Sequence, residues 1–563
     1  MSDAPQLEAY HFHERDWDSY EQLCEDFEFD IPDTFNMADY VCDRWAEADE
    51  ERVALYAETK SGERSTYTFS NLQAIANSLA NSLQEEGVER GDRIAVSGSQ
   101  KVETIVGHLA AWKLGAVSVP LSNLIGSDGM EYRLSDCEPS AFVVDEAAVD
   151  TLRGVRDALS SLETVVVAGQ DTVDDEVPFW EAVESHDSTF ETVTTDPEDE
   201  SMIIYTSGTT GDPKGVVHVH RGLLGVLPGQ LMRHNMQVVE DEVERIAVEW
   251  SWVASINDTI LPAWFYGKAM VAHEREEFDP EKEFELIDRY GITLFSLPPT
   301  AARMMMQVEG ASERYDLDSV RVLSCGGEAV GKQIENWADE TFGGAHLMDG
   351  LGQTEAPALT MDCPALGYSH REGMMGKPAI GLETKVVEVN GDLEPVEQGE
   401  VGELAIRYED NPQCFTEYLN KPEKTDEKVQ NGWLLTEDLV VEDPDGYLGF
   451  ESRKDDVIIS SGYRIGPEEI EDCLTGHEAV FDAGVIGVPH DVRGEIPKAY
   501  VVLVEGESPS ANLKTELQEY VKDRLAKYEY PRELTFIDKL PKTSTGKLRR
   551  VDLRETAGIT GGE

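Results

Sequence analysis

The sequence predicts an α/β protein of two unequal domains, a large N-terminal one over residues 1–452 and a small α+β one over residues 453–563. Three observations predict it. Apolar helical faces alternate with short β-branched runs through the first part of the chain. From about residue 375 the texture changes to short strands punctuated by Gly, Pro and Asn, a small β-rich section. A charged stretch, Arg453-Lys-Asp-Asp456, then separates that section from a last unit of roughly 110 residues with strands and helices of its own. A chain of 563 residues is in any case too long for one ordinary core.

The elements follow in order. Residues 69–86 carry Leu72, Ile75, Ala76, Leu79 and Leu83 on one helical face and stop at Gly87, a natural C-terminal cap. Residues 93–97 read as a strand, 102–114 as a helix ended by Gly115, and 116–120 as a strand again. This β-α-β rhythm argues for a parallel sheet covered by helices. It continues through strands at 201–205, 291–297 and 320–324. The β-rich section offers strands at 386–389, 402–406 and 446–450, and the last unit offers 483–488 and 499–504.

Composition narrows the setting. There are 112 Asp plus Glu against 47 Lys plus Arg, a net charge of −65. The carboxylates run from end to end rather than in one block, so they read as a whole surface adapted to concentrated salt, where self-repulsion is screened. The same field disfavours direct contact with nucleic acid. The seven cysteines are scattered and never form a C-x-x-C pair, which reads as reduced thiols in a cytoplasmic protein. No apolar run is long enough for a membrane span, and the acidic start is unlike a secretory signal. The oligomeric state, self-association included, stays open.

The chemistry is concentrated in Tyr205-Thr-Ser-Gly-Thr-Thr-Gly-Asp-Pro-Lys-Gly215, directly after a buried-strand pattern. Glycines let a backbone approach a bulky anion, hydroxyls donate to phosphate oxygens, and lysine supplies charge. A Walker loop fails on spacing, because Lys214 is preceded by Pro213 and followed by Gly215.

This loop resembles the phosphate-binding signature of the adenylate-forming superfamily, and four more motifs follow in the superfamily's order. They are Asp349-Gly-Leu-Gly-Gln-Thr-Glu355, Trp433-Leu-Leu-Thr-Glu-Asp438, the hinge-like 453–465 and Pro541-Lys-Thr-Ser-Thr-Gly-Lys547. The resemblance is nearest to the AMP-forming medium-chain acyl-CoA synthetases. It implies two parallel-sheet subdomains and a β-rich one, followed by a mobile C-terminal domain. It also implies that ATP and a carboxylic acid give acyl-AMP and pyrophosphate, and that the acyl group then passes to CoA.

By that resemblance Thr206, Ser207, Gly208, Thr209, Thr210, Gly211 and Lys214 hold the phosphates. Gly327, Glu328, Asp349, Gly350, Leu351, Gly352, Gln353 and Thr354 line the ATP/AMP site. Asp438 accepts the ribose hydroxyls beside Arg453, Glu355 holds Mg²⁺, and Lys547 bridges the acyl carboxylate and the α-phosphate. Lys547, Lys214 and Thr354 are the catalytic set. Asp455 is the hinge. Ser461, Gly462, Tyr463, Arg464 and Arg493 meet CoA. Trp252 and Gly352 line the acyl pocket, where acetate-specific relatives carry tryptophan in place of Gly352. The glycine predicts room for a longer or branched fatty acid.

Two departures stand out: Leu351 occupies the place of the motif's usual tyrosine, and Glu529 that of a lysine. His218 and His220 alternate on a strand and bring no third ligand for a metal. Acetate as substrate, and an adenylation enzyme loading a carrier protein, are the alternatives; the lack of a carrier module after Lys547 favours free CoA.

Overall fold

In the computed structural model, residues 7–169, 171–206, 213–239, 241–275, 277–327, 330–371, 373–460, 463–490, 493–525, 530–543 and 547–559 are described, with Tyr463 and Arg464 as backbone alone. Two mostly parallel sheets carry the first part. One has eight strands in the order Glu417–Tyr418, Lys214–Val219, Glu200–Thr206, Val117–Leu121, Arg93–Ser97, Ala141–Asp145, Thr164–Ala168 and Val177–Pro178. The other has seven, from His346–Met348 through Val322–Cys325, Leu294–Leu297, Val243–Ile246 and Ala269–His273 to Val53–Glu58 and Arg64–Thr68. Pairing in the second sheet is parallel except for the hairpin formed by the last two strands.

The helices between them form for local reasons. Phe69–Glu85 opens with a capping box: the Thr68 hydroxyl accepts from the Asn71 amide while the Asn71 side chain accepts from Thr68. Its Leu72, Ala76, Leu79 and Leu83 are fully buried, each leucine worth roughly 1.5–3 kcal/mol in removed apolar surface. Gly87, at φ +96°, ends it as expected.

Two strand expectations are corrected. The segment expected from residue 291 pairs only over Leu294–Leu297, because Gly291 (φ +61°) is spent capping the helix Pro280–Tyr290. The segment expected from 446 begins at Leu448, because the Asp443 carboxylate accepts from the amides of Asp445 and Tyr447 and makes a turn of what precedes it.

Thr384–Val387, Val401–Arg407, Val429–Gln430, Trp433–Glu442 and Leu448–Arg453 form an antiparallel five-stranded sheet. Its link to the first sheet is the short strand Glu417–Tyr418, which pairs with Val216 and Val217. The last part has its own sheet, built on the long hairpin Val480–His490/Gly494–Leu503 with Ile458–Ser460, Tyr463–Ile465 and Glu533–Phe536. Among the described residues no helix is long and apolar enough to cross a membrane. None of the seven cysteines forms a disulfide.

Candidate active site

In sheets of this kind ligands bind beyond the carboxyl ends of parallel strands. Two such ends lie side by side here. Val322–Cys325 runs into Gly326 and Gly327, and its neighbour His346–Met348 runs into Asp349 and Gly350. A Cβ built on Gly326 would stand 3.4 Å from the Gly350 carbonyl oxygen, so the two turns approach closely. Lys547 reaches the same place from the last part of the chain, its Cε 3.7 Å from the Cβ position of Gly327. The lysine backbone is held by two hydrogen bonds to Thr543: its amide donates to the Thr543 hydroxyl (3.1 Å) and its carbonyl accepts from the Thr543 amide (2.8 Å). Nearby, Lys542 donates to Thr300 at 2.9 Å, tying this segment to the first part of the chain.

Thr206 and Lys214 face each other at the end of the hairpin Glu200–Thr206/Lys214–Val219. Ser207, Gly208, Thr209, Thr210 and Gly211 lie outside the described residues, as do Glu328, Ser461, Gly462 and Glu529. The Lys214 ammonium stands 4.4 Å from the centre of the Tyr418 ring. Burial lowers its pKa, partly opposed by the Glu355 and Glu437 carboxylates.

Glu355 is buried and accepts from the Tyr418 hydroxyl at 2.5 Å. Burial alone would raise its pKa, but the Lys428 ammonium and the Tyr418 hydroxyl outweigh it and hold the group below the usual carboxylate range. A buried carboxylate kept ionised has the donor chemistry for a hard divalent cation.

Asp438 and Arg453 are cross-strand partners on adjoining strands. Arg453 donates to Asp438 at 2.7 Å, and the Gln353 amide donates to the other Asp438 oxygen at 3.3 Å. Asp438 is 3% exposed, so its charge is committed to these partners and to whatever enters the site. Gly350, Leu351, Gly352, Gln353 and Thr354 cross between these groups. Thr354 is half-buried, its backbone against His218, and the Leu351 side chain is half-buried against the apolar cluster of Val216 and Leu359.

Asp349 is the surprise of this segment. Burial and the neighbouring Asp362 push its carboxyl up to about 8, against the Gly350 amide that donates to it at 2.7 Å. That environment favours the neutral acid, which can donate as well as accept. Asp362 in turn accepts from His370 at 2.8 Å, and that histidine, also facing Glu335, is pushed up to about 10 by the two carboxylates.

Gly352 has a different reason for being glycine than the sequence suggested. Its Cβ position lies 1.9 Å from the Pro357 carbonyl oxygen. The residue faces no free space in that direction; it is a close backbone approach that admits only hydrogen.

Asp455 is exposed in the turn between Leu448–Arg453 and Ile458–Ser460, and its carbonyl accepts from Arg554 at 3.3 Å. Tyr463 and Arg464 lie on the strand Tyr463–Ile465, and Arg493 sits in the turn before Gly494–Leu503. Trp252 is half-buried, its indole nitrogen shielded and without a hydrogen-bond partner among the described residues. His218 and His220 are buried, their pKa values drawn down to about 4 by desolvation, and the His220 ring accepts from the Met37 amide. Neither belongs to a three-residue metal cluster among the described residues.

Residues 42–419 match the family profile of the AMP-binding enzyme, and residues 469–547 that of the AMP-binding enzyme C-terminal domain. The chain belongs to the AMP-binding enzyme family, as an AMP-forming acyl-CoA synthetase. It is similar to the uncharacterized acyl–CoA ligase YtcI of Bacillus subtilis, 34% identical over 90% of this chain and 93% of that one. It is also similar to the mitochondrial acyl-coenzyme A synthetase ACSM4 of Mus musculus, 32% identical over 93% and 91%. Among solved structures, an anthranilate CoA ligase, AuaEII, in complex with anthranoyl-AMP superposes with a TM-score of 0.85, at 27% identity, covering 94% of this chain and 98% of that one.

The synthetase thus gathers Thr206, Lys214, Gly327, Asp349–Thr354, Glu355, Asp438, Arg453 and Lys547 from five regions of sequence. Sequence reasoning missed Tyr418 and Lys428, which lie in none of the five motifs, and Glu437, which lies in one of them with no role assigned; the three surround Glu355 and Arg453.

Proposed function

We propose that this acyl-CoA synthetase acts on a medium-chain or branched fatty acid in a salt-rich cytoplasm. The observation that supports the reading most directly is the position of Lys547 beside Gly327, at the carboxyl ends of two parallel strands. That arrangement suits the first half-reaction. Joining a carboxylate to the α-phosphate brings two anions together, and a lysine between them offsets the charge that develops. Lys214 and the loop before it would hold the departing phosphates. Glu355 would hold Mg²⁺, which when bound neutralises phosphate oxygens. Asp438 would take the ribose hydroxyls, oriented by Arg453 and Gln353. For the second half-reaction Lys547 must leave; we place the pivot at Asp455, the domain boundary at 452/453, and the CoA contacts on 461–464 and Arg493.

Two features support an acid longer than acetate. By the family resemblance Gly352 stands where acetate-specific relatives carry tryptophan, and each CH₂ that a longer acid buries favours binding by about 0.8 kcal/mol. Trp252, half-buried, would offer its ring as an apolar wall for the same slot. An aromatic acid is the second reading, favoured by the likeness to the anthranilate ligase.

The test is AMP release at high KCl with straight acids of two to ten carbons, branched acids, benzoate and anthranilate, with and without CoA. A maximum at medium-chain or branched acids with CoA is expected. Activity confined to acetate would refute the substrate reading, and failure of every acid to release AMP would refute the larger one.

A further inference from the structure

The strand Trp433–Glu442 is not regular where it meets the site. Its register against Val401–Arg407 slips, a step from Glu403 to Ala405 being matched by a step from Leu439 to Leu435. The extra residues form a bulge, and its centre is Glu437, at φ +64°. That is left-handed backbone, natural for glycine and strained for a long L side chain. The surroundings enforce it. The Glu437 amide donates to Glu403 Oε1 at 3.1 Å, and the Glu437 carbonyl accepts from the Lys454 amide at 2.8 Å. Lys454 Nζ closes the loop on the second Glu403 oxygen at 2.8 Å. Strain held this firmly points to a use.

The bulge does two things. It turns the Thr436 carbonyl toward the site, where three donors converge on it: Arg453 at 3.1 Å, Gln353 at 3.2 Å and Lys428 at 3.3 Å. It also sends the Glu437 carboxylate to the same groups, accepting from Arg453 at 3.0 Å and from Lys428 at 3.1 Å on one oxygen. Lys428 is 5% exposed at the side chain and Arg453 29%. Arg453 is therefore shared between Asp438 and Glu437, one guanidinium nitrogen to each. A planar fork held at both nitrogens is fixed in orientation as well as position.

We infer that Glu437, with Lys428 as its counter-charge, is a positioning residue of the nucleotide site: it orients Arg453 and, through it, the Asp438 carboxylate toward the ribose hydroxyls. The inference rests on the proposed ribose role of Asp438. Glycine would fit the backbone of position 437 without strain, so the glutamate is explained by its carboxylate and not by the turn. Lys428 balances that carboxylate, since Glu437 unpaired would stand as a second anion near Glu355 and oppose the phosphates.

The experiment measures equilibrium binding of ATP and of 2′-deoxy-ATP to the full chain at high KCl, for the parent, E437G, E437Q and K428M. No acid is needed, so the outcome is separate from whether the chain ligates. E437G should melt no lower than the parent, its backbone being relaxed, yet bind ATP about tenfold more weakly, the usual scale for removing one charge-assisted hydrogen bond. The preference for ATP over 2′-deoxy-ATP should fall toward unity in E437G and E437Q alike, with K428M shifting in the same direction. Parent-like ATP affinity and ribose preference in E437G would overturn the inference. So would a drop in affinity with the ribose preference intact, or a matching fall in melting temperature in both E437G and E437Q, because either makes Glu437 a part of the fold only.

Discussion

Replacing Gly352 by alanine separates two reasons for a glycine. If the residue mattered only as an absent lid over the acyl slot, a methyl would trim the longest acids and leave acetate untouched. The structure gives another outcome. The new Cβ would lie 1.9 Å from the Pro357 carbonyl oxygen. A carbon and a carbonyl oxygen come no closer than about 3.3 Å, so the loop must move by roughly 1.4 Å. The obstacle is backbone and cannot rotate aside. What moves is the segment that carries Gln353, whose amide reaches Asp438 at 3.3 Å and Thr436 at 3.2 Å, and Glu355, which is bonded to Tyr418. Displacement of about 1 Å at positioned groups costs on the order of a hundredfold in rate. Overpacking of this kind costs about 1–3 kcal/mol of stability. We expect G352A to lose about a hundredfold in kcat/KM with every acid, acetate included, and to melt earlier. The assay is AMP release across the acid panel beside a thermal melt. Retention of parent rates with acetate and a deficit only with longer acids would refute the reasoning and restore the open-lid account.

Other outcomes follow from the same geometry. K547A should depress acyl-AMP formation by a factor on the order of 10² to 10³, while thioester formation from supplied acyl-AMP and CoA stays near the parent rate; equal impairment of both steps would tell against domain rotation. His108 is fully buried against Trp112, both ring nitrogens without hydrogen-bond partners among the described residues, and desolvation lowers its pKa to about 3. Its unfolded form takes a proton near 6.5 that the folded form refuses, so folded stability is lost as pH falls from 6.5 toward 3. H108F should therefore gain on the parent by about 1.4 kcal/mol per pH unit over that window in denaturant titrations, and parallel curves would contradict it. With net charge −65, dialysis from about 2 M KCl to a few tens of millimolar should unfold the chain by circular dichroism. A cooperative fold that survives dialysis would discard the salt adaptation.

Much of the fold was legible because it is local. The Arg93–Ser97 strand fell within its predicted bounds, and the helix begun by the Thr68–Asn71 box within one residue, since alternation, capping and a terminal glycine are neighbours in sequence. Where a glycine serves the preceding helix, as Gly291 does, the strand reading ran three residues too far. The site was legible as a set of motifs but not as an arrangement. That Asp438 touches Arg453 follows from a hairpin. That Tyr418 bonds Glu355 across 63 residues depends on a two-residue strand joining different sheets. Glu437 was invisible for another reason: its role comes from a bulge, and a bulge is a mismatch between two strands rather than a pattern in either.

The seam between the two parts of the chain has a kinetic consequence. Contacts described across it include Lys542 with Thr300, Lys547 beside Gly327, Asp472 against Gly331, Gly466 against the Glu451 carbonyl and Lys454 with Glu403. The apolar clusters of the last part draw no described residue from before Ile458. Among the described residues, swinging the last part away therefore wets no packed apolar cluster. Its rate should follow the drag of the medium, so turnover limited by that swing should slow in proportion to added glycerol and respond only weakly to temperature.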